Sequence, residues 1–267
     1  MKNFNGKSVL IVGASSGIGH TLALRLASQG ALVAVTARRK EKLAALVNEI
    51  MGRGGIGLDL AADVQDPASA EWVVQETVRQ FGRIDLVVLN AGGAPALDMR
   101  TLGVREVTRC MRSNYDVAVN CLFPVLHQMV RQGGGLVVHT NSLAGWLGVP
   151  LQGPYCAAKG ALRLLIDTCR IEFAAYGIRF VTVYPGFVAT DATANDGMPA
   201  PLALSEAQAV EHIMHALHRE PLDYLFPFTM RWLVRLALLL PKRLTTRLLR
   251  GELPRLPASA AGAPPTS

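Results

Sequence analysis

The sequence predicts an α/β fold in which a parallel sheet carries helices on both faces. Three observations predict it. Short, continuous apolar runs recur along the chain, each of the length that a strand buried on both faces requires. Between them lie stretches with apolar residues at helical spacing, and glycines stand where the first two of these stretches end. Strands alternating with helices pair in parallel, and such sheets bind ligands at the carboxyl ends of their strands.

The elements follow in order. Val9 to Val12 form the first strand, and the glycine-rich turn GASSGIG leads into a helix bearing Leu22 and Leu26 that closes at Gly30. ALVAVTA is a second buried strand, and RRKEKLAALVNEIMG is an amphipathic helix ended by Gly52, completing a βαβ unit. A strand near Gly57 to Ala61, a helix from Pro67 to Phe81 and the strand at 85–89 come next. Helical patterns over 101–132 precede the strand GLVVHT. A helix starting near Pro154 and the strand RFVTVY complete the alternation. Residues 1–225 are expected to form one domain, with a substrate lid over about 187–219 that includes the helix ending near Arg219. A basic and apolar helical extension over 226–252 follows, and the Pro-, Ala- and Ser-rich tail 253–267 is expected to be disordered.

Composition bounds the function. A chain of 267 residues, half of them hydrophobic, can bury one sizeable core. Lys and Arg exceed Asp and Glu by seven, but the charges read as scattered rather than run together, so no nucleic-acid partner is expected. The four cysteines form neither a C-x-x-C pair nor a cluster with His, which argues for reduced packing residues and against a metal site or disulfide framework. The first residues lead into a strand without the apolar segment of a signal peptide, so a cytoplasmic protein is the expectation.

The turn between the first strand and first helix spans Gly13, Ser15, Ser16, Gly17, Ile18 and Gly19. Glycines there permit a tight turn and close backbone approach, and the N–H groups at the helix start favour a pyrophosphate. Its G-x-x-x-G-x-G spacing resembles the classical branch of the short-chain dehydrogenase/reductase family, and the likeness runs over about residues 6–192. The resemblance implies a single-domain Rossmann fold, doubly wound around a mostly parallel, seven-stranded sheet. The second strand ends in TARRK. Ala37 stands where an NAD-selective fold places an acid, and Arg38 and Arg39 follow it, which favours the 2′-phosphate of NADP(H) over NAD(H). The resemblance further implies that Asp63 and Val64 line the adenine, and that Asn90, Ala91 and Gly92 match the family's Asn-Ala-Gly. Val12 replaces the family's frequent Thr and with it a hydroxyl that braces the turn.

GPYCAAKGAL places Tyr155 and Lys159 on one face of a helix begun by Pro154, with small residues between them. Reduction of a carbonyl needs a hydride at carbon and a proton at oxygen. A phenol can supply the proton, and a neighbouring ammonium is expected to lower its pKa from about 10. Ser142, in HTNSLAG, resembles the second serine of the family's Ser-Ser-x-Ala-Gly, with Asn141 in place of the first. By resemblance Tyr155 is the general acid in reduction, Lys159 tunes it and binds the nicotinamide ribose, Ser142 orients the carbonyl, and Asn114 organises a proton relay. Asn120 is the rival to Asn114. In YPGFVATD, the resemblance assigns nicotinamide contacts to Pro185, Gly186, Val188 and Thr190.

Trp146 and Phe187, with Met198 and Leu202, suggest an apolar lining for the substrate. In the extension, the apolar run Leu236 to Leu240 is too short to span a bilayer. With Trp232 and neighbouring arginines it is expected either to pack over the substrate site or a partner subunit, or to lie in a membrane interface, which keeps a lipid-type ketoreductase open. Family resemblance implies a homodimer or homotetramer through the helix bearing Tyr155 and the one before it. A non-catalytic NADP-binding regulator has no need of Ser142, Tyr155 and Lys159 together. A nucleotide-sugar epimerase or dehydratase would carry a G-x-x-G-x-x-G turn and a larger C-terminal domain, and neither is present.

Overall fold

The computed structural model describes residue 1, residues 3–190, residues 203–251 and residue 253. The centre of the expected lid, with Met198 and Leu202, and all but the first residue of the expected disordered tail lie outside the described residues.

The first half alternates without exception: β1 (Ser8–Val12), α1 (Gly17–Ala27), β2 (Leu32–Ala37), α2 (Lys40–Gly52), β3 (Ile56–Ala61), α3 (Pro67–Phe81) and β4 (Leu86–Leu89). Helices α4 (Val104–Met111) and α5 (Val117–Arg131) then lead to β5 (Gly135–Thr140), and α6 (Gly153–Glu172) leads to β6 (Ile178–Pro185). Two short strands, β7 (Val188–Ala189) and β8 (Leu204–Ser205), pair with each other ahead of α7 (Glu206–Arg219). Strand β9 (Asp223–Phe226) and helices α8 (Phe228–Leu239) and α9 (Lys242–Arg250) complete the described chain.

Local chemistry sets several boundaries. Asp66 caps α3 by accepting from the Ser69 amide at 3.0 Å, Pro67 occupies the first turn, and Gly82 ends the helix in the left-handed region at φ 81°. Ser205 and Gln208 form a reciprocal capping box at the start of α7.

The main sheet has seven strands in the order β3-β2-β1-β4-β5-β6-β9, and all of its pairings are parallel. The order in which strands are added reverses between β1 and β4, which makes the carboxyl ends of those strands the ligand-binding crevice of a doubly wound fold. Six strands match apolar runs in the sequence. The seventh, β9, has only the three-residue run Tyr224 to Phe226 behind an exposed acid at the sheet edge.

Each sheet face buries its own core. One core joins β1, β2, β4, β5 and β6 to α1, α2 and α7, with Leu22, Leu26, Leu43 and Ile213 wholly buried. The other joins the opposite face to α3 and α5, with Val73, Leu122, Leu126 and Met129 equally buried. Burying each such aliphatic side chain stabilises the fold by roughly 1.5–3 kcal/mol relative to leaving it exposed. The four cysteines are all free and buried. A third, smaller cluster of Leu143, Tyr184, Leu225 and Val234 ties α8 to the loop following β5.

Candidate active site

At the end of β1 the chain turns through Gly13, whose φ of 90° favours glycine, and a Cβ placed there would lie 2.6 Å from the Ala91 Cα. The amides of Gly13 and Ala14 donate to the Thr36 carbonyl at 2.8 and 3.3 Å. Asn90 Nδ2 donates to the Gly13 carbonyl at 3.0 Å. The turn is therefore braced by the Thr36 carbonyl of β2 and by Asn90, which follows β4. Gly19 packs so closely that a Cβ would collide with the Gly13 carbonyl oxygen.

Helix α1 begins at Gly17 with Ser16 as its N-cap, and the Ser16 side chain makes no capping hydrogen bond. Its first amides thus remain available for an anion. Arg39 lies across this opening, donating from Nε and Nη2 to Ser15 Oγ at 3.0 and 2.7 Å and from Nη2 to Ser16 Oγ at 2.6 Å. Arg38 is exposed beside it. A cradle that side chains would fill, open helix-start amides and a guanidinium at the rim fit the diphosphate of a dinucleotide.

Gly13→Ala is accordingly expected to destabilise the protein by about 2–5 kcal/mol, from left-handed backbone strain and overpacking against Ala91. Denaturant unfolding checks this, and a variant within about 0.5 kcal/mol of wild type would contradict the described turn.

Asp63 and Val64 follow β3, where Asp63 Oδ1 accepts from the Gln65 amide at 3.1 Å. Asn120 Nδ2 donates to the carbonyls of Val64 and Gln65, both at 3.0 Å. Asn120 therefore holds this loop, while Asn114 sits elsewhere, and the structure separates the two rivals.

Tyr155 and Lys159 lie one turn apart on α6, both buried. The Tyr155 hydroxyl shares a hydrogen bond with the Ser142 side chain. Lys159 Nζ donates to the Thr140 carbonyl at 2.9 Å and stands 5.7 Å from the centre of the Tyr155 ring. Burial pushes the Tyr155 phenol up to about 12, against a smaller lowering by its bond to Ser142. Burial also pulls the Lys159 ammonium down to about 8. The phenol is thus raised where the sequence expectation had it lowered, because desolvation outweighs every other influence on it. Desolvation disfavours both charges, and the lysine directs its proton to Thr140 rather than to the phenol oxygen.

Asn114 occupies a π-helical turn, Arg112–Asp116, inserted between α4 and α5, where a widened turn re-aims a side chain. It is wholly buried. Its Nδ2 donates to the carbonyls of Gly93 and Cys110, each at 3.0 Å, and its Oδ1 accepts from the Gly93 amide at 3.0 Å. A Cβ at Gly92 would lie 2.6 Å from Asn114 Oδ1 and 3.6 Å from Lys159 Nζ. Asn114, Lys159 and the Asn90–Ala91–Gly92 segment therefore meet at one point.

Two residues that sequence reasoning did not assign hold this arrangement. Thr140 supplies the acceptor for Lys159. Asn141 Oδ1 accepts from the Ser142 amide at 2.8 Å and its Nδ2 donates to the Lys159 carbonyl at 3.1 Å, tying the Ser142 loop to α6. The departure at Asn141 was the available signal, since an amide carries its donor and acceptor on separate atoms and reaches farther than a serine hydroxyl.

Past β6, the Gly186 amide donates to the Phe226 carbonyl at 2.8 Å, so β9 steers the Pro185–Gly186 turn. Val188 is buried, and Thr190 Cγ2 lies 3.4 Å from a Cβ placed at Gly17, which brings this segment to the cradle beside Ile18. Phe187 is half-buried, and its carbonyl accepts from the Leu204 amide at 2.9 Å. Trp146 joins the small cluster under α8, its ring 5.4 Å from that of Tyr184 and 4.6 Å from the Arg163 guanidinium. Among the described residues no group of three His, Cys, Asp or Glu side chains is placed to hold a metal ion.

A family model described as short chain dehydrogenase matches residues 7–199. An uncharacterized oxidoreductase of Myxococcus xanthus is 31% identical over 244 residues, covering 91% of this chain and 96% of that protein. A 3-oxoacyl-acyl-carrier-protein reductase of Staphylococcus epidermidis is 36% identical over 188 residues, covering 70% of this chain and 77% of that one. The crystal structure of levodione reductase superimposes with a TM-score of 0.69 at 33% identity, covering 71% of this chain and 75% of its own.

Proposed function

The chain belongs to the short-chain dehydrogenase/reductase family of oxidoreductases, and from that premise we propose that it interconverts an apolar ketone or aldehyde with its alcohol using NADP(H). The observation that carries this reading is the convergence of Ser142, Tyr155, Lys159 and Asn114 beside Gly92. A bound nicotinamide would supply or accept the hydride. The protein does the rest.

In reduction, Tyr155 gives its phenolic proton to the carbonyl oxygen. With its pKa at about 12 the phenol is fully protonated near neutrality and so is loaded for this step. Ser142 hydrogen-bonds the same oxygen and lies within reach of the phenol, which holds the carbonyl in line for proton transfer. Lys159 adds a charge near the developing alkoxide, and Asn114 fixes the Gly92–Gly93 backbone against which the lysine packs. The cradle at Gly13, Ser15, Ser16, Gly17, Ile18 and Gly19 takes the diphosphate, Asp63 and Val64 the adenine, and Pro185 to Thr190 the carboxamide side. Phe187 contributes to the apolar wall on the substrate side, whereas Trp146, expected there from the sequence, packs beneath α8 against Tyr184 and Arg163.

The preference for NADP(H) is supported by the Arg39 guanidinium already resting on Ser15 and Ser16, with Arg38 exposed beside it and no acid at Ala37. A charge-assisted contact to the 2′-phosphate contributes about 1.5–3 kcal/mol. The double variant Arg38→Ala, Arg39→Ala is therefore expected to raise the KM for NADPH by roughly 10–100-fold and to leave that for NADH within about threefold. Steady-state kinetics with both cofactors on a panel of ketones, quinones, steroids and 3-ketoacyl lipids tests the reading. Equal use of NADH and NADPH by wild type, or no turnover of any carbonyl, would overturn it.

A homo-oligomer is part of the same reading. Phe123 on α5 and Leu164 and Ile171 on α6 are 38%, 60% and 79% exposed, an apolar surface on the two helices expected to meet a second copy.

A further inference from the structure

Helix α8 is apolar on two opposite sides. Met230 and Val234 pack on Leu143, Trp146, Tyr184 and Leu225. The opposite stripe, Phe228, Trp232, Leu236 and Leu239, recurs at helical spacing and is 67%, 43%, 60% and 82% exposed. Helix α9, joined to it by a hydrogen bond from Thr245 Oγ1 to the Ala237 carbonyl, continues the pattern with Leu244 and Leu248, 43% and 60% exposed. Contiguous exposed apolar side chains of this size mark an interaction surface. The chain's own tail is a poor match for it, because residues 257–267 contain no aromatic or long aliphatic side chain.

Charge selects the partner. Of the surplus of seven cations in the whole chain, six lie on this pair of helices, as Arg231, Arg235, Lys242, Arg243, Arg247 and Arg250. No Asp or Glu falls between Phe226 and Gly251, and the remaining sequence is close to neutral. The charges that read as scattered along the sequence are therefore, in net terms, gathered in one place. Arg231 and Arg235 hold their guanidinium groups 5.4 Å from the Trp232 ring, so cations flank the apolar stripe directly. An apolar strip bordered by arginine and lysine fits the boundary between lipid headgroups and acyl chains, where the aliphatic stems are buried and the charged ends reach phosphate. No helix among the described residues is long and apolar enough to cross a membrane.

We propose that α8 and α9 form a docking surface that lies in the plane of an anionic lipid bilayer, with the Phe228–Trp232–Leu236–Leu239 stripe entering the headgroup region. The other side of α8 packs on Leu143 and Trp146, immediately after Ser142, so docking brings the reacting-centre loop to the lipid surface. That placement suits an amphiphilic carbonyl substrate, a consequence that rests on the reductase reading; the docking itself does not.

Flotation of the full-length protein with vesicles tests the proposal. Co-flotation is expected with phosphatidylcholine vesicles containing about a third phosphatidylglycerol, and a roughly tenfold weaker association with phosphatidylcholine alone or in about 0.5 M salt. Trp232→Glu with Leu236→Glu, both at exposed positions, should abolish flotation with an unchanged circular dichroism spectrum and unfolding midpoint. Arg243→Glu with Arg247→Glu should reduce it about tenfold. Absence of flotation with the anionic vesicles overturns the proposal, as does flotation undiminished in both double variants. A dimer, seen by light scattering, that the Trp232→Glu/Leu236→Glu variant dissolves while vesicles bind nothing would overturn it in favour of a second copy. Flotation is read without turnover, so failure here and failure of the reductase reading are separately visible.

Discussion

Tyr155→Phe should lower kcat for NADPH-linked carbonyl reduction by roughly 10²–10⁴-fold, the usual worth of a positioned general acid. The substitution removes one oxygen and leaves the ring that packs within α6. Its structural cost is one hydrogen bond to Ser142, on the order of 1 kcal/mol, which a folded domain of this size tolerates. NADPH binding, followed by nucleotide fluorescence, is expected to stay within about threefold of wild type, because the phosphate cradle is untouched. The combination of lost turnover with retained binding is the signature of a group acting only on the reacting atoms. A variant retaining more than about a tenth of its rate would remove Tyr155 from the role of proton donor.

Lys159→Met is expected to do two things at once: to cut turnover by at least about 100-fold and to stabilise the protein at neutral pH. The second effect follows from the sign of the shift. Burial depresses the Lys159 pKa from 10.5 to about 8, so between those values the unfolded chain binds more protons than the folded one, and stability rises with pH. Below about pH 8 both states are protonated and the full penalty of burying the charge is present, on the order of 3 kcal/mol. Methionine keeps the length of the side chain without the charge. It forfeits the bond to the Thr140 carbonyl, so the net gain at pH 7 is about 1–2 kcal/mol. Urea titrations from pH 7 to pH 10 check this, a window below the range where the raised phenol of Tyr155 contributes. The advantage of Lys159→Met should hold from pH 7 to about pH 8 and shrink from there to pH 10. A destabilised variant at pH 7, or an advantage independent of pH, would show that the lysine is not held against its own desolvation. The same depressed pKa predicts that carbonyl reduction by the wild type declines above about pH 8, as Lys159 loses its proton while Tyr155 keeps its own.

The buried lysine and buried phenol illustrate where a sequence stops being informative. The spacing of Tyr155 and Lys159 places them on one helix face, and that much is covalent geometry. Whether the ammonium lowers the phenol or both lose charge to desolvation depends on depth and on the third group each one meets. Burial decides it, disfavouring both charges, while the Thr140 carbonyl, nineteen residues from Lys159, holds the ammonium in place. The same holds for the two asparagines. Both belong to one helical stretch in the sequence, yet a π-helical turn sends Asn114 to Gly93 while Asn120 reaches Val64. The basic, apolar character of α8 and α9 is legible in the sequence, but the exposure of one apolar stripe and the burial of the other are set only by packing on Leu143, Trp146, Tyr184 and Leu225.

By itself the sequence determined the alternation of strands and helices, the six apolar strands, the glycine turn and the identities of Ser142, Tyr155 and Lys159. Those features are written in local periodicity and in residues whose conformational freedom or chemistry is distinctive. Tertiary structure alone decided that the edge strand β9 forms, since DYLF offers only a three-residue apolar run behind an acid and is drawn into the sheet by pairing with β6. It also decided that the Thr36 carbonyl and Asn90 brace the glycine turn, that Asn141 bridges Ser142 to α6, and that Trp146 packs beneath α8. In each case the deciding force is a hydrogen bond or a desolvation between residues far apart in the chain, whose strength is set by burial and distance and leaves no local pattern to read.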